Sequence, residues 1–155
     1  MSHFPLIAIG DMTPSCFLIK PVNTLVFNIV NQPTWDAVDE YFTHLLAPSD
    51  FALDRALRNS VAAGLPQHNV TPNQGKLLQL LAQMQGAQKI LEIGTLGGYS
   101  TIWLARAVSP DGRVITLEAN PNYAEVAIKN IASANLSEVV EVRVGQAMDT
   151  LPELL

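Results

Sequence analysis

Apolar positions along this chain follow two rhythms, helical in the first half and strand-like in three short runs of the second. From Thr34 to Ala47, Trp35, Val38, Tyr41 or Phe42, and Leu45 recur at three- and four-residue spacing, predicting a helix that Pro48 stops. A second helix should follow with Ser49 as N-cap, Phe51, Leu53, Ala56 and Leu57 on its apolar side, and Gly64 ending it before Leu65-Pro66. Thr71-Pro72-Asn73-Gln74 places Thr at an N-cap, Pro at the first helical position and Gln two residues on, a capping box opening a third helix. That helix is expected to bury Leu77, Leu78 and Leu81 and to end near Gly86. The rhythm then changes. Lys89 to Ile93 is unalternating and apolar, as expected of a strand covered on both faces. A helix from about Gly98 to Val108, the turn Ser109-Pro110-Asp111-Gly112 and a second strand at Arg113 to Glu118 come next. Asn120 should cap a further helix begun by Pro121, with Ala124, Ile128 and Ile131 inward, before a third strand at Val139 to Val144 and a loop and helix from Gly145 to Leu155.

Three helices followed by β-α-β-α-β-α require a parallel sheet with right-handed crossovers, a Rossmann-like α/β fold of which the first half is represented. The first strand, central in a complete sheet of this kind, should then show an unpaired apolar edge. Residues 1–33 contain four prolines and no clear helical face, with Leu25–Val30 as a candidate short strand; they read as an atypical segment ahead of a partial domain at 34–155.

Composition narrows the chemistry. With 155 residues, 48% hydrophobic and 15% charged, the chain suits one compact domain rather than a disordered segment. Its net charge of −5 gives no basic footprint for nucleic acid and no attraction to an anionic membrane. The single cysteine, Cys16, excludes an intrachain disulfide and a Cys-based zinc cluster, and has no activating neighbour but Lys20. No cationic leader and no apolar run of about 18 residues is present, so a cytoplasmic protein is expected.

The densest chemistry lies at Ile90-Leu-Glu-Ile-Gly-Thr-Leu-Gly-Gly-Tyr-Ser100, where a strand runs through Glu92 into a glycine-bearing loop that opens a helix. Such a loop brings backbone amides close to a ligand, and a helix amino end favours negative charge. Glu118, at the tip of the next strand, follows Gly98 by 20 residues, the spacing at which a carboxylate reaches a ribose held over the first loop. Gly94-Thr-Leu-Gly97-Gly98 departs from the Gly-x-Gly-x-x-Gly dinucleotide fingerprint, and a carboxylate at Glu92 would repel a pyrophosphate while suiting an ammonium group. S-adenosylmethionine, which has an amino acid end, a sulfonium and a ribose but no phosphate, fits this arrangement better than NAD. Glu92 as a carboxylate that caps loop amides is the structural alternative.

From Trp35 to Leu155 the sequence resembles the cation-dependent O-methyltransferases of small molecules, the family of catechol and caffeoyl-CoA O-methyltransferases. The resemblance rests on Val70-Thr-Pro-Asn-Gln-Gly-Lys76, Ile90 to Thr101, Gly112-Arg-Val-Ile-Thr-Leu-Glu118, and Gly145-Gln-Ala147 ahead of Leu151-Pro152. It implies an S-adenosylmethionine site in which Val70 meets the methionine end, Glu92, Gly94, Thr95 and Ser100 line the loop and amino acid moiety, Glu118 accepts both ribose hydroxyls and Ala147 adjoins the adenine. Where some relatives carry an aromatic residue in the glycine loop, this chain has Leu96. The family also implies a divalent cation such as magnesium, held by an Asp after the fourth strand and an Asp-Asn pair beyond it, with a Lys as base. None of these positions is matched here, so no catalytic or metal-ligating residue is assigned, and Asp149 falls on the wrong connection. A truncated or fragmentary copy is therefore expected. Its inherited function would be methyl transfer to a small-molecule hydroxyl, catechol-like or otherwise phenolic, with a non-catalytic cofactor- or partner-binding remnant as the alternative and an NAD-dependent oxidoreductase further behind. In relatives the N-terminal helices cover the cofactor or help form a homodimer. His3, His44 and His68 are dispersed and read as structural, Trp35 and Trp103 as packing residues, and Lys76 as a solvated helix position.

Overall fold

The computed structural model of the protein describes residues 32–154; the candidate strand at Leu25–Val30, His3 and Cys16 lie outside them. Helices α1 (Gln32–Leu46), α2 (Phe51–Ala62) and α3 (Pro72–Met84) precede β1 (Lys89–Ile93), α4 (Tyr99–Ala105), β2 (Arg113–Glu118), α5 (Pro121–Ser133), β3 (Val140–Val144), the single turn α6 (Ala147–Thr150) and a 3₁₀ turn at Leu151–Leu154. The strands form a parallel sheet in the order β1-β2-β3, with Ile90 opposite Val114 and Val114 opposite Val140. The ladder continues beyond the strands, since Gly94 N–H donates to Leu117 O (2.8 Å) and Gly145 N–H to Glu118 O (2.9 Å). This is the first half of a Rossmann-like α/β fold.

The capping box forms as read: Thr71 Oγ1 accepts from Gln74 N, Gln74 Oε1 accepts from Thr71 N, and Pro72 opens the helix. The cap of α2 differs from expectation. Asp50, not Ser49, occupies the position and accepts from the amides of Ala52 and Leu53, both at 3.0 Å. A carboxylate one residue nearer the helix reaches both amides with one oxygen, and its other oxygen pairs with Arg106 at 2.8 Å, tying α2 to the end of α4. Partial burial pushes the Asp50 carboxyl up, but the Arg106 hydrogen bond and charge and the two amides outweigh it and hold the group below its ordinary value. A carboxylate depressed in the folded state stabilises above its unfolded pKa and loses that contribution as pH falls through the folded one. Asp50→Ala is accordingly expected to lower stability by about 1 kcal/mol at pH 7, most of it from the cap because the exposed ion pair is screened. Urea unfolding of both proteins should show the difference shrinking as the pH drops below the ordinary aspartate range.

Two apolar clusters hold the layers together. Ala47, Leu53, Ala56, Tyr99, Ile102 and Trp103 join α2 to α4, and Leu104, Ala105 and Val114 seat α4 on the sheet with Leu78, Ile90 and Val140 beside them. Right-handed crossovers put α4 and α5 on one face, where Thr101 of α4 reaches both Glu92 and, through it, Thr116.

Burial departs from the sequence expectation on the other side. Leu77 and Leu81 are exposed, only Leu78 being partly buried, and the α1 stripe of Trp35, Val38, Tyr41, Phe42 and Leu45 is exposed throughout. Phe51 also faces outward. Strand β1 is not covered on both faces: Leu91 and Ile93 stand exposed while Ile90 and Glu92 are half-buried. Both crossover helices lie on the same face, and among the described residues no element covers β1 from the opposite side. In α5 the inner positions are Ala124, Ala127, Asn130 and Ile131, and Ile128 is exposed. Small alanines let α5 approach the glycine loop closely, which turns Ile128 away. Trp103 is buried as expected, Trp35 is not. Among the described residues no helix is long and apolar enough to cross a membrane.

Candidate functional site

The carboxyl ends of the three strands share one edge of the sheet, and the loop after β1 builds a pocket there. A cavity of about 360 Å³ lies between this loop and the stretch from α2 to α3; Val70, Gly94, Thr95 and Ser100 all line it, together with Leu57 and Leu65. Four of the seven residues expected at the site are thus brought together. The pocket falls within the size range of small-molecule sites.

The three glycines divide the work unequally. Gly94 has φ +95° and open space where a side chain would project, so the chain is bare at that point. Gly97 and Gly98 serve the protein instead. A side chain on Gly97 would overlap Ser60 of α2, and Gly98, at φ +80°, adopts a left-handed backbone that side-chain-bearing residues rarely take, with Ala127 of α5 at ordinary contact distance (3.5 Å) from where a Cβ would stand. The turn is closed by Gly98 N–H donating to Thr95 O (2.8 Å), while no hydrogen bond to protein engages the amides of Thr95 and Gly97 among the described residues. Leu96, between them, has φ +50°, a left-handed conformation that costs a non-glycine residue about 1–2 kcal/mol.

Glu118 stabilises that conformation. Its carboxylate is buried and accepts from Leu96 N at 2.8 Å and from Asn120 N at 2.9 Å, bracing the glycine loop against the tip of β2. Each oxygen keeps a free lone pair. Glu92 is committed differently: Ser100 Oγ donates to Oε1 (2.6 Å), and Thr101 and Thr116 Oγ1 donate to Oε2 at 2.5 and 2.7 Å. Because the one Thr116 proton goes to Glu92, the 2.6 Å contact between Thr95 and Thr116 must have Thr95 as donor. The Glu92 carboxylate therefore anchors hydroxyls at the start of α4 and does not line the cavity; its partners are side chains, not the loop amides of the structural alternative. Glu118 and Ala147 also stand outside the cavity lining, at the tips of β2 and β3, with Gly145 N–H on Glu118 O connecting them.

Sequence reasoning missed Asn130. Its buried carboxamide donates to Gly97 O (2.9 Å) and Ala56 O (3.3 Å) and accepts from Asn59 Nδ2 (2.7 Å). The available signal was an Asn on the same helical face as Ala124, Ala127 and Ile131. Tyr99 was also passed over. Its ring lines the cavity and its buried hydroxyl makes no hydrogen bond. Burial pushes that phenol up, and the indole N–H of Trp103 beside it pulls the other way without reaching hydrogen-bond geometry. His68 lines the cavity rim exposed to solvent, and Lys76 bonds Gln79 at 3.0 Å with its ammonium 5.8 Å from the Trp103 ring centre. Asp149 is exposed in α6, and among the described residues no group of three or more His, Cys, Asp or Glu is placed to hold a metal ion.

A parallel β-α-β-α-β unit with a glycine loop after its first strand and a carboxylate at the tip of its second is the arrangement found in α/β domains that bind nucleoside cofactors. A sequence model described as O-methyltransferase matches residues 46–155, and the chain belongs to this family. It is 51% identical to a catechol O-methyltransferase of Niastella koreensis over 126 residues, covering 81% of this chain and 57% of that protein. Among solved structures, an O-methyltransferase from Bacillus cereus in complex with SAH matches with TM-score 0.77 and 56% identity, over 79% of this chain and 56% of that one. The O-methyltransferase TomG from Streptomyces achromogenes, in complex with SAM, matches with TM-score 0.77 and 48% identity, over 81% and 56% respectively. The chain thus spans a little over half the length of these relatives.

Proposed function

We propose that this chain binds S-adenosylmethionine along the carboxyl ends of β1, β2 and β3 and contributes the cofactor-holding half of an O-methyltransferase acting on a small hydroxyl compound, catechol-like or otherwise phenolic. The observation that carries the reading is the pairing of a bare loop with a braced carboxylate: unengaged amides at Thr95 and Gly97 beside Gly94, and a buried Glu118 with lone pairs to spare. The residues fit the cofactor's chemistry. Amide donors suit its carboxylate end, Glu118 suits two ribose hydroxyls, and among the described residues no lysine or arginine lines the cavity to repel the sulfonium. Val70 would close the cavity over the methionine chain, Ser100 and Thr95 would face its polar end, Glu92 would keep that end in shape by holding Ser100 and Thr101, and Ala147 would leave room for adenine.

When bound, the cofactor supplies an electrophilic methyl group on sulfur. This chain's own part is orientation and exclusion of water, the terms that dominate when a preformed electrophile meets a positioned oxygen. No residue here is assigned to the divalent cation that orients the acceptor in the family. The bound forms of the similar Bacillus cereus and Streptomyces achromogenes proteins, with SAH and SAM, support the cofactor assignment. Calorimetric titration of the 155-residue chain with S-adenosylhomocysteine should give one site per chain and raise its unfolding temperature. A folded chain that produces no heat and no thermal shift with S-adenosylhomocysteine, yet binds NAD, would reject the proposal.

A further inference from the structure

We propose that Asn130 is a positioning residue for the cofactor loop, acting through the Gly97 carbonyl; the inference rests on the S-adenosylmethionine reading above. Asn130 is 1% exposed and stands on α5, an element that contributes nothing to the cavity lining. Both of its amide protons are used, one on Gly97 O at 2.9 Å and one on Ala56 O at 3.3 Å, and Asn59 Nδ2 fixes its oxygen at 2.7 Å. A carboxamide held at both ends cannot rotate, so the direction of its bond to Gly97 is set by α2 and α5 together.

That bond determines the loop's shape. The peptide joining Gly97 to Gly98 is pinned at its carbonyl by Asn130 and at its amide by Thr95 O. Ser60, itself donating to Ala56 O at 2.7 Å, fills the space a side chain on Gly97 would need, and Ala127 backs Gly98. With this peptide plane fixed, the Leu96-Gly97 plane that carries the unengaged Gly97 amide has little freedom left, because its other neighbour, Leu96 N, is held by Glu118. Asn130 and Glu118 therefore secure opposite ends of the same three residues. Glu118 is also proposed to hold the ribose, whereas Asn130 bonds the loop and α2 and stands outside the cavity lining. Its influence should consequently fall on the amino acid end of the cofactor and spare the nucleoside end.

This separation supplies the test. S-adenosylhomocysteine carries both ends, while 5′-methylthioadenosine keeps the nucleoside and thioether but lacks the amino acid. Asn130→Ala is expected to weaken S-adenosylhomocysteine by about tenfold or more, as for loss of a buried hydrogen bond, and to leave 5′-methylthioadenosine within about twofold of the parent chain. Ile131→Val, a buried substitution one position along the same helix, should lower the unfolding temperature while leaving the ratio of the two affinities unchanged. Should Asn130→Ala not fold, Asn59→Ala releases the carboxamide more gently, with an expected loss for S-adenosylhomocysteine of about threefold and faster hydrogen exchange at Gly97 to Ser100. Equal weakening of both ligands by the variant that folds, or no weakening, overturns the positioning role. Failure of the parent chain to bind S-adenosylhomocysteine at all would instead overturn the cofactor reading, and this inference with it.

Discussion

Glu118→Ala is expected to reduce S-adenosylhomocysteine affinity by about 100-fold or more, the largest ligand effect of any single substitution in this chain. A carboxylate accepting two hydroxyls makes two charge-assisted hydrogen bonds, each about 1.5–3 kcal/mol, so losing both removes two orders of magnitude even after partial compensation by water. The folded state pays as well, since the amides of Leu96 and Asn120 lose their acceptor and Leu96 loses the bond that offsets its left-handed backbone. Glu118→Gln separates the two roles. Its carbonyl oxygen still accepts from one amide, but its NH₂ group cannot accept from a second donor, so stability should fall less than in the alanine variant while affinity still drops by about tenfold or more. Calorimetry at a temperature where all three proteins are folded reads the comparison directly. Binding by Glu118→Gln within threefold of the parent would mean that the ribose does not sit on this carboxylate.

Legibility in the sequence followed the range of the interaction. Features written in short local patterns were read correctly: the Thr71 capping box, the Asn120-Pro121 start of α5, and the apolar runs that bound β1 and β2. The position of Glu118, at the tip of β2 and against the glycine loop, was also legible, because a fixed strand-loop-helix spacing links the two. What failed depended on partners distant in sequence. Periodicity marks the apolar side of a helix but not how fully a neighbour covers it, so Leu77, Leu81 and Trp35 were placed inside although all three stand exposed among the described residues. Glycines were taken as open ground for a ligand. Only Gly94 is open, and neither the crowding of Gly97 by Ser60 of α2 nor the left-handed backbone of Gly98 could be seen before the loop was folded against its neighbours. Asn130 was missed for the same reason, since its bonds to Ala56, Asn59 and Gly97 join three separate segments. The Asp50 cap shows a smaller limit: the sequence reading took Ser49, one residue too early, while Asp50 accepts both helix amides and also pairs with Arg106, far along the chain.

Gly75→Ala is expected to destabilise the protein by about 1–2 kcal/mol, although in an ordinary helix interior the same change stabilises by nearly 1 kcal/mol. The reason is the indole of Trp103. Gly75 is the one buried residue of α3, and a methyl group there would overlap the five-membered edge of that ring. The ring cannot yield easily, because Trp103 is buried in the cluster with Leu53, Ala56 and Ile102 and has Lys76 over its face. The helix must move instead. A second substitution tests this account by reversing the sign: in a Trp103→Leu background, itself destabilised by about 3 kcal/mol, the space beside Gly75 is vacated and Gly75→Ala should become stabilising by about 0.5 kcal/mol. Urea unfolding of the four proteins gives the coupling, and the same sign in both backgrounds would rule out steric exclusion as the role of Gly75. The consequence reaches the site. Val70 lines the cavity immediately before the Thr71 cap, so an α3 displaced by Gly75→Ala carries that wall outward, and affinity for S-adenosylhomocysteine should fall with the stability in the parent background and recover when Trp103 is trimmed.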